Sequence, residues 1–383
     1  MDAAMRSRRR LWVAAAAGFA VACASTGARD QSEIAEHSSN TASPGVAAPP
    51  PTQETELGAR PSAPLAADRL LELPSIRVKV LDFARGDAAW SALRAGSSAN
   101  APPPSEREYA LVRVRVTGVA PESWIGCGEF RVVGADRVVY VHGGQLLTEP
   151  LRSKKLEAGQ DAEGWCAYSI RASDHGLILM VDDPAFAHAD VVRYVALERG
   201  ASLPEISSSE IAPTQAIGAS LRTPAEPSSE VVTRDWSVTV IEVVRGEDAR
   251  RLVVSANEKN APPSEGREYV AIKLRAQYHA QSERPGLLTA SAFRIIGGNG
   301  ELYDAPIALD VSPQLSRTLF PGGEHTGWAV FQIDPADTGA VLRFEPYFPD
   351  RDVRYLALGR TTARAAPPRE PAEITADSKA GGS

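Results

Sequence analysis

The chain has 383 residues, enough for two ordinary domains of about 100–200 residues each, and sets 41 Lys and Arg against 48 Asp and Glu. Its formal net charge is −7, and −10 once the four Arg and one Asp of the first 22 residues are set aside, which speaks against nucleic acid, whose binders show a concentrated basic face. Three Cys in this length exclude a disulfide-dense miniprotein.

Residues 1–22 read as an export signal. Arg6, Arg8, Arg9 and Arg10 precede an uncharged run of 12 residues, Leu11 to Ala22, too short for the roughly 20 helical residues that span a bilayer. The run ends in Ala20-Val21-Ala22-Cys23, which resembles the lipobox of bacterial lipoproteins, with Ala20 where Leu is usual. The resemblance implies cleavage before Cys23, acylation of Cys23 and attachment to a membrane through the lipid. The alternative is an ordinary secretory signal with a Cys nearby. Ala24 rather than Asp after the Cys points, by analogy with enteric sorting, to the outer membrane.

Residues 23–73 read as a disordered tether. No aromatic residue lies between Ala24 and Leu73, and Ala48-Pro49-Pro50-Pro51 has no place in a packed element. Such a segment buries too little apolar surface to offset its ordering entropy. As a flexible coil it reaches about 40 Å. Two more segments read alike: a linker at 200–230, with Ser207-Ser208-Ser209, and a tail at 361–383.

The folded segments, 74–199 and 231–360, repeat one another. At an offset of 160, Ile76-x-Val78-x-Val80 meets Trp236-x-Val238-x-Val240, Arg85-Gly86 meets Arg245-Gly246, Asn100-Ala101-Pro102-Pro103 meets Asn260-Ala261-Pro262-Pro263, and Arg107-Glu108-Tyr109 meets Arg267-Glu268-Tyr269. The offset is 163 at Phe130-Arg131 against Phe293-Arg294 and at Gly164-Trp165 against Gly327-Trp328, and 161 at Arg193-Tyr194 against Arg354-Tyr355. Within each copy the period is two: Val112, Val114 and Val116 alternate with Arg113 and Arg115, and Ile272 and Leu274 with Lys273 and Arg275. Further strands are expected at Phe130–Val133, Gly164–Ile170, Leu177–Val181 and Val191–Leu197, and at Phe293–Ile296, Gly327–Ile333, Val341–Phe344 and Val353–Leu358. Turn signals stand between them, such as Gly297-Gly298-Asn299-Gly300 and Pro321-Gly322-Gly323. Gly86–Ala95 and Gly246–Ser255 are expected to form either a short helix or a loop. The fold class that follows is all-β: two tandem immunoglobulin-like β-sandwich domains joined by a disordered linker.

Both copies resemble the DUF4352 family. The pattern stands as Glu268-Tyr269-Val270-Ala271-Ile272-Lys273-Leu274, Phe293-Arg294-Ile295, Leu319-Phe320-Pro321-Gly322 and Gly327-Trp328-Ala329-Val330-Phe331-Gln332-Ile333, and in the first copy as Glu108–Val114, Phe130–Val132, Leu156–Gly159 and Gly164–Ile170. The resemblance implies an immunoglobulin-like, extracytoplasmic domain, often on a lipoprotein behind a low-complexity linker. It brings no catalytic residue.

The chain offers little for chemistry. His37, His142, His175, His188, His279 and His325 show no metal-site spacing and no matched positions, and read as solvated surface residues. No nucleophile elbow and no phosphate-cradling loop occurs. Asp182-Asp183 abuts Pro184 and reads as turn chemistry. Arg107-Glu108 and Arg267-Glu268 read as exposed ion pairs. Arg85-Gly86-Asp87 spells an integrin-type tripeptide, but the second copy has Arg245-Gly246-Glu247, and both fit a turn that needs Gly. Trp165 and Trp328 read as core packing rather than ligand platforms.

Cys127 and Cys166 remain once Cys23 carries lipid. At the offset of 163 they meet Ala290 and Ala329, so both are present in one copy and both replaced in the other. A bonded pair explains that, and export supplies the oxidising compartment. The alternative is two buried free thiols. The expected protein is a lipid-anchored lipoprotein of the bacterial cell envelope, without cofactor or metal. It acts as a non-catalytic binding or interaction module, with a possible protein partner there and an unknown ligand. Its rivals are a structural envelope spacer without a specific ligand and a hydrolase with an unrecognised site.

Overall fold

The first copy opens with β1 (Leu65–Ala66), β2 (Leu70–Glu72), β3 (Ile76–Arg85), α1 (Gly86–Gly96) and β4 (Arg107–Gly118). It continues with β5 (Ser123–Ile125), β6 (Phe130–Val133), β7 (Val138–Tyr140), β8 (Lys154–Leu156), β9 (Asp161–Arg171), β10 (Ile178–Asp182) and β11 (Val192–Ala196). The second copy repeats the plan as β12 (Glu230–Val232), β13 (Trp236–Arg245), α2 (Gly246–Ala256), β14 (Glu268–Tyr278), β15 (Gly286–Leu288) and β16 (Phe293–Ile296). Its last elements are β17 (Leu302–Asp304), β18 (Arg317–Leu319), β19 (Glu324–Ile333), β20 (Val341–Phe344) and β21 (Arg354–Ala357). This computed structural model describes residues 57–185, 191–206, 216–281, 283–304, 311–346 and 352–359, all within one compact unit. The expected signal at 1–22, Cys23 and the tail at 361–383 lie outside the described residues.

The protein is all-β, two β-sandwiches in series. In the first, sheet β2-β3-β4-β9 faces strands β1-β11-β10-β6-β7; in the second, β12-β13-β14-β19 faces β17-β16-β20-β21. The alternation of β4 turns Ala110, Val112, Val114 and Val116 into the core beside Phe130, Val132 and Leu179 of the facing sheet, with Arg113 and Arg115 outward. Val270, Ile272, Leu274 and Ala276 do the same in the second copy.

The segment left open between helix and loop is a helix in both copies. Each strand before it, β3 and β13, carries a register shift at the same place, Val80/Asp82 and Val240/Glu242. Gly86 and Gly246 then start the helices at φ +61° and +60°, a left-handed region that costs Gly little. Each helix lies on the outer face of its sheet: Ala89 and Leu93 pack on Tyr109, Leu111 and Ala167, and Ala249 and Val253 on Tyr269 and Ala271. The repeated Asn-Ala-Pro-Pro fastens the helix end. The side-chain amides of Asn100 and Asn260 donate to the carbonyls of Leu93 and Val253, both at 2.8 Å. The hydroxyls of Tyr109 and Tyr269 donate to the carbonyls of Ala101 and Ala261 at 3.1 and 2.6 Å.

Folded structure begins before Pro74, since Leu65–Ala66 pairs in parallel with β11 and Leu70–Glu72 with β3. Parts of the 200–230 segment also pack. Ala201 and Leu203 are buried beside Val139, Ile178, Met180 and Phe320, and Ala225 forms a parallel bridge with Leu356. Residues 207–215 lie outside the described residues. A few apolar side chains in a Pro- and Ser-rich stretch are enough to dock it, which composition averaged over the stretch conceals. The copies also meet directly: β18 of the second pairs with β7 of the first, Thr318 opposite Val139 and Leu319 opposite Val138.

Candidate functional site

Cys127 and Cys166 form a disulfide, with Cα atoms 5.6 Å apart and a sequence separation of 39. It ties the turn before β6 to the middle of β9, inside the core. The other motifs are placed differently from a reading of isolated pairs. Arg107 and Glu108 do not pair with each other. Glu108 takes Arg85, and Glu268 takes Arg245, each at 2.6 Å and with all four side chains no more than a quarter exposed. Successive residues on a strand face opposite ways, so neighbours such as Arg107 and Glu108 cannot meet. Arg85 also holds Glu198 at 2.5 Å and the carbonyl of Asp174 at 2.7 Å, so the guanidinium of the tripeptide is occupied inside the fold. Asp183 is buried, accepting from the Ser75 amide at 2.9 Å and hydroxyl at 2.5 Å, while also closing a turn to the Ala185 amide.

Trp165 and Trp328 are half-buried rather than in the sandwich core. They lie on the helix side of β9 and β19, each under a cation from the neighbouring strand: Arg113 at 5.9 Å and Lys273 at 5.7 Å from the ring. The period of two explains this, since Cys166 and Ala329 beside them take the core side. The surface reading of the histidines fails for two of them. His279 is 2% exposed with neither ring nitrogen partnered, and His325 is 6% exposed. His37 and His188 lie outside the described residues. Among the described residues no three metal-ligating side chains come together.

Concave surface opens where the copies join. Phe320, just past β18, inserts against Tyr194, ring centroids 6.2 Å apart, and against Val139, Ile178, Met180 and Leu203. Arg137 locks the seam: its guanidinium donates to the carbonyls of Pro321 at 2.8 Å and Pro204 at 2.5 Å, and its own carbonyl accepts from the Phe320 amide at 2.8 Å. A cavity of about 270 Å³ opens beside this seam, floored by Pro61, Leu203, Phe320 and Ala280 and rimmed by Glu205 and Gln281. A second, of about 620 Å³, shares Glu283 and passes over Met180, Tyr194 and the Arg131–Asp182 pair. Burial pushes the Tyr194 phenol up to about 12, so it stays protonated at neutral pH. An apolar floor with a rim of both charges suits a ligand that is apolar with a few polar groups.

A matched hub of Tyr and Asp stands in both copies. The Tyr140 hydroxyl donates to Asp174 at 2.8 Å, and Asp174 accepts the Asp136 amide at 3.0 Å; Asp337 accepts the Gly298 amide at 3.0 Å, with the Tyr303 hydroxyl at 3.4 Å. The Cβ of any residue at 134 or 297 would meet these carboxylates at 2.3 and 1.9 Å, which explains a Gly at both. The signal was the offset of 163, which also matches Tyr140 with Tyr303 and Asp174 with Asp337.

No family model matches the chain, and no curated protein matches it. Solved structures align with parts of it. One is ycdA of Bacillus subtilis, described as a candidate lipoprotein: 12% identity and TM-score 0.27 over 34% of this chain and 38% of that one. The chain therefore spans under half the length of that protein. A secreted protein of Mycobacterium tuberculosis aligns at 13% identity and TM-score 0.23, over 30% of this chain and 86% of its own. A β-sandwich protein of Clostridium difficile aligns at 10% identity and TM-score 0.23, over 40% of this chain and 100% of its own.

Proposed function

We propose that the chain is a lipid-anchored protein of the bacterial cell envelope whose two sandwiches act together as a non-catalytic binding module. The observation that carries this is the cleft at the seam: both copies line it, next to the pairing of β18 with β7. The Ala20–Cys23 run supports a lipid anchor at Cys23, Ala24 supports the outer membrane, and the Glu-Tyr strand pattern supports a DUF4352-type domain. Among the described residues no helix is long and apolar enough to cross a membrane.

The test is photocrosslinking in intact cells from Gln281 on the cleft rim, with Lys79 on a distant strand as control. A discrete adduct from position 281 and none from 79 is expected. Silence at both positions favours the spacer. In the same cells, Cys23→Ser should leave the membrane fraction; retention there would assign the anchor elsewhere.

A further inference from the structure

Basic side chains from both copies gather where β18 meets β7, at the start of β4. Arg107 and Arg171 stand directly opposite each other on paired strands, an arrangement that like charges disfavour. Arg317 enters from β18 across from Tyr140, by the register that sets Thr318 against Val139. His325 is in contact with Arg171, Nδ1 to Nη2 3.3 Å. Against these charges stands, among the described residues, one paired carboxylate, Asp136, 3.1 Å from Arg171. Asp174 lies behind Tyr140, held by its hydroxyl and two backbone amides. Arg107 spends its donors on Ser169 and has no ion pair among the described residues. Arg317 has neither ion pair nor hydrogen bond among the described residues, and its Nε is fully buried. Burial, and then the charges of Arg107 and Arg171, hold the Arg317 guanidinium below its ordinary value.

The second copy shows what the same place looks like when neutralised. Arg267, the counterpart of Arg107, pairs with Glu301 at 2.7 Å and lies over the Tyr303 ring. Glu301 corresponds to Val138, and Asp334 to Arg171, both at the offset of 163. So the first copy has an apolar residue and a cation where the second has two acids, and the second copy adds Arg317 to the same spot. Among the described residues, three guanidinium groups for one paired acid, with a partnerless fork among them, leave a positive charge that an anion would balance.

We propose that Arg107, Arg171 and Arg317 form a binding site for a small oxyanion, of the phosphate class, at the junction of the two copies. Planar guanidinium forks match the oxygens of such an anion. The side chains are half-buried, with Arg171 about a third exposed, so the site is open to solutes. His325 keeps its neutral ring there: Nε2 donates to the Gln314 carbonyl at 2.7 Å and Nδ1 accepts from Arg171.

The test is calorimetric titration of the full chain with inorganic phosphate, against chloride at matched ionic strength, with melting temperatures read in both salts. Saturable binding of one phosphate per chain is expected, with a phosphate-dependent rise in Tm. Arg317→Gln should melt no lower than the native chain in chloride, because it removes repulsion and breaks no bond, and should weaken phosphate at least tenfold. Arg171→Gln gives the same loss of binding by a second route, and Arg275→Gln, on the exposed face, should bind as the native chain does. Absence of saturable phosphate binding, undiminished binding by Arg317→Gln, or a response to phosphatidic acid vesicles alone would each overturn the proposal.

Discussion

His325 shows how far the surroundings of one residue escape the linear text. Its spacing to other ligands says nothing, and a His between Glu324 and Thr326 on a strand reads as surface. In the fold it is nearly closed off between the copies, and burial first, then the nearby Arg317, Arg171 and Arg107, lowers its pKa from 6.5 to about 4. The unfolded chain therefore binds the extra proton between about pH 6.5 and pH 4, so stability is complete above that window and falls as pH drops through it. A shift of this size corresponds to about 3 kcal/mol at most. Urea midpoints at pH 7, 6 and 5 should decline for the native chain and decline less for His325→Gln. Equal slopes for the two would mean that the ring titrates without cost to the fold. The repeated residues were legible for the opposite reason: Arg85, Gly86, Asn100, Glu108 and Tyr109 form one local fastening of helix to strand, so they recur together in the second copy.

Strands follow the same division. The long central strands β4 and β14 are legible by alternation, while three-residue strands such as β5, β7, β15 and β18 are too short to show a period. Their positions come from pairing partners far along the chain. Comparison of the copies at the level of strand pairs also explains how the second holds together without a disulfide. Where the first copy sets Ile76 against Gly118 and Phe130 against Val181, the second sets Trp236 against Tyr278 and Phe293 against Phe344. The ring centroids of those aromatic pairs are 4.7 and 4.8 Å apart. Each such pair adds about 0.5–1.5 kcal/mol beyond its buried area, and the disulfide, closing a loop of about 40 residues, about 4 kcal/mol on the chain-entropy model. Reductant should therefore lower the stability of the first copy by a few kcal/mol and leave the second copy's own packing untouched. Phe344→Val, which installs the first copy's residue, should cost about 2 kcal/mol whether reductant is present or not. A loss that depends on reductant would place Phe344 in the disulfide's cooperative unit instead.

At the scale of the molecule, the seam raises the question of why it stops at two. β18 of one copy pairs with β7 of the other, a heterologous contact, and such contacts propagate into open chains unless something ends them. Both halves of the contact have counterparts: β8 of the first copy corresponds to β18, and β17 of the second, at the end of its sheet, corresponds to β7. A second molecule could in geometry place its β8 on this β17. The residues forbid it. Phe320, the apolar wedge, corresponds to Glu157, and Val138, which faces Leu319 across the ladder, to Glu301, so a carboxylate would replace one member of each of two apolar contacts of the seam. Charge at an exposed edge is the usual guard against strand addition. None of this was readable from either copy alone, because the seam draws on Arg137, Leu203 and Phe320, which no periodicity links; the offset of 163 records it only as two differences between the copies. The native chain should show no concentration-dependent association through this edge in sedimentation velocity. Glu157→Phe combined with Glu301→Val should show it, as a series of larger species growing with concentration, and Leu302→Pro added to that pair should suppress it by removing a ladder donor. If the double variant sediments as one species throughout, the acids are not what keeps the edge closed, and the difference between the two copies would have to be traced to the turn geometry at Arg137, whose φ of 59° has a Gly at its counterpart, Gly300.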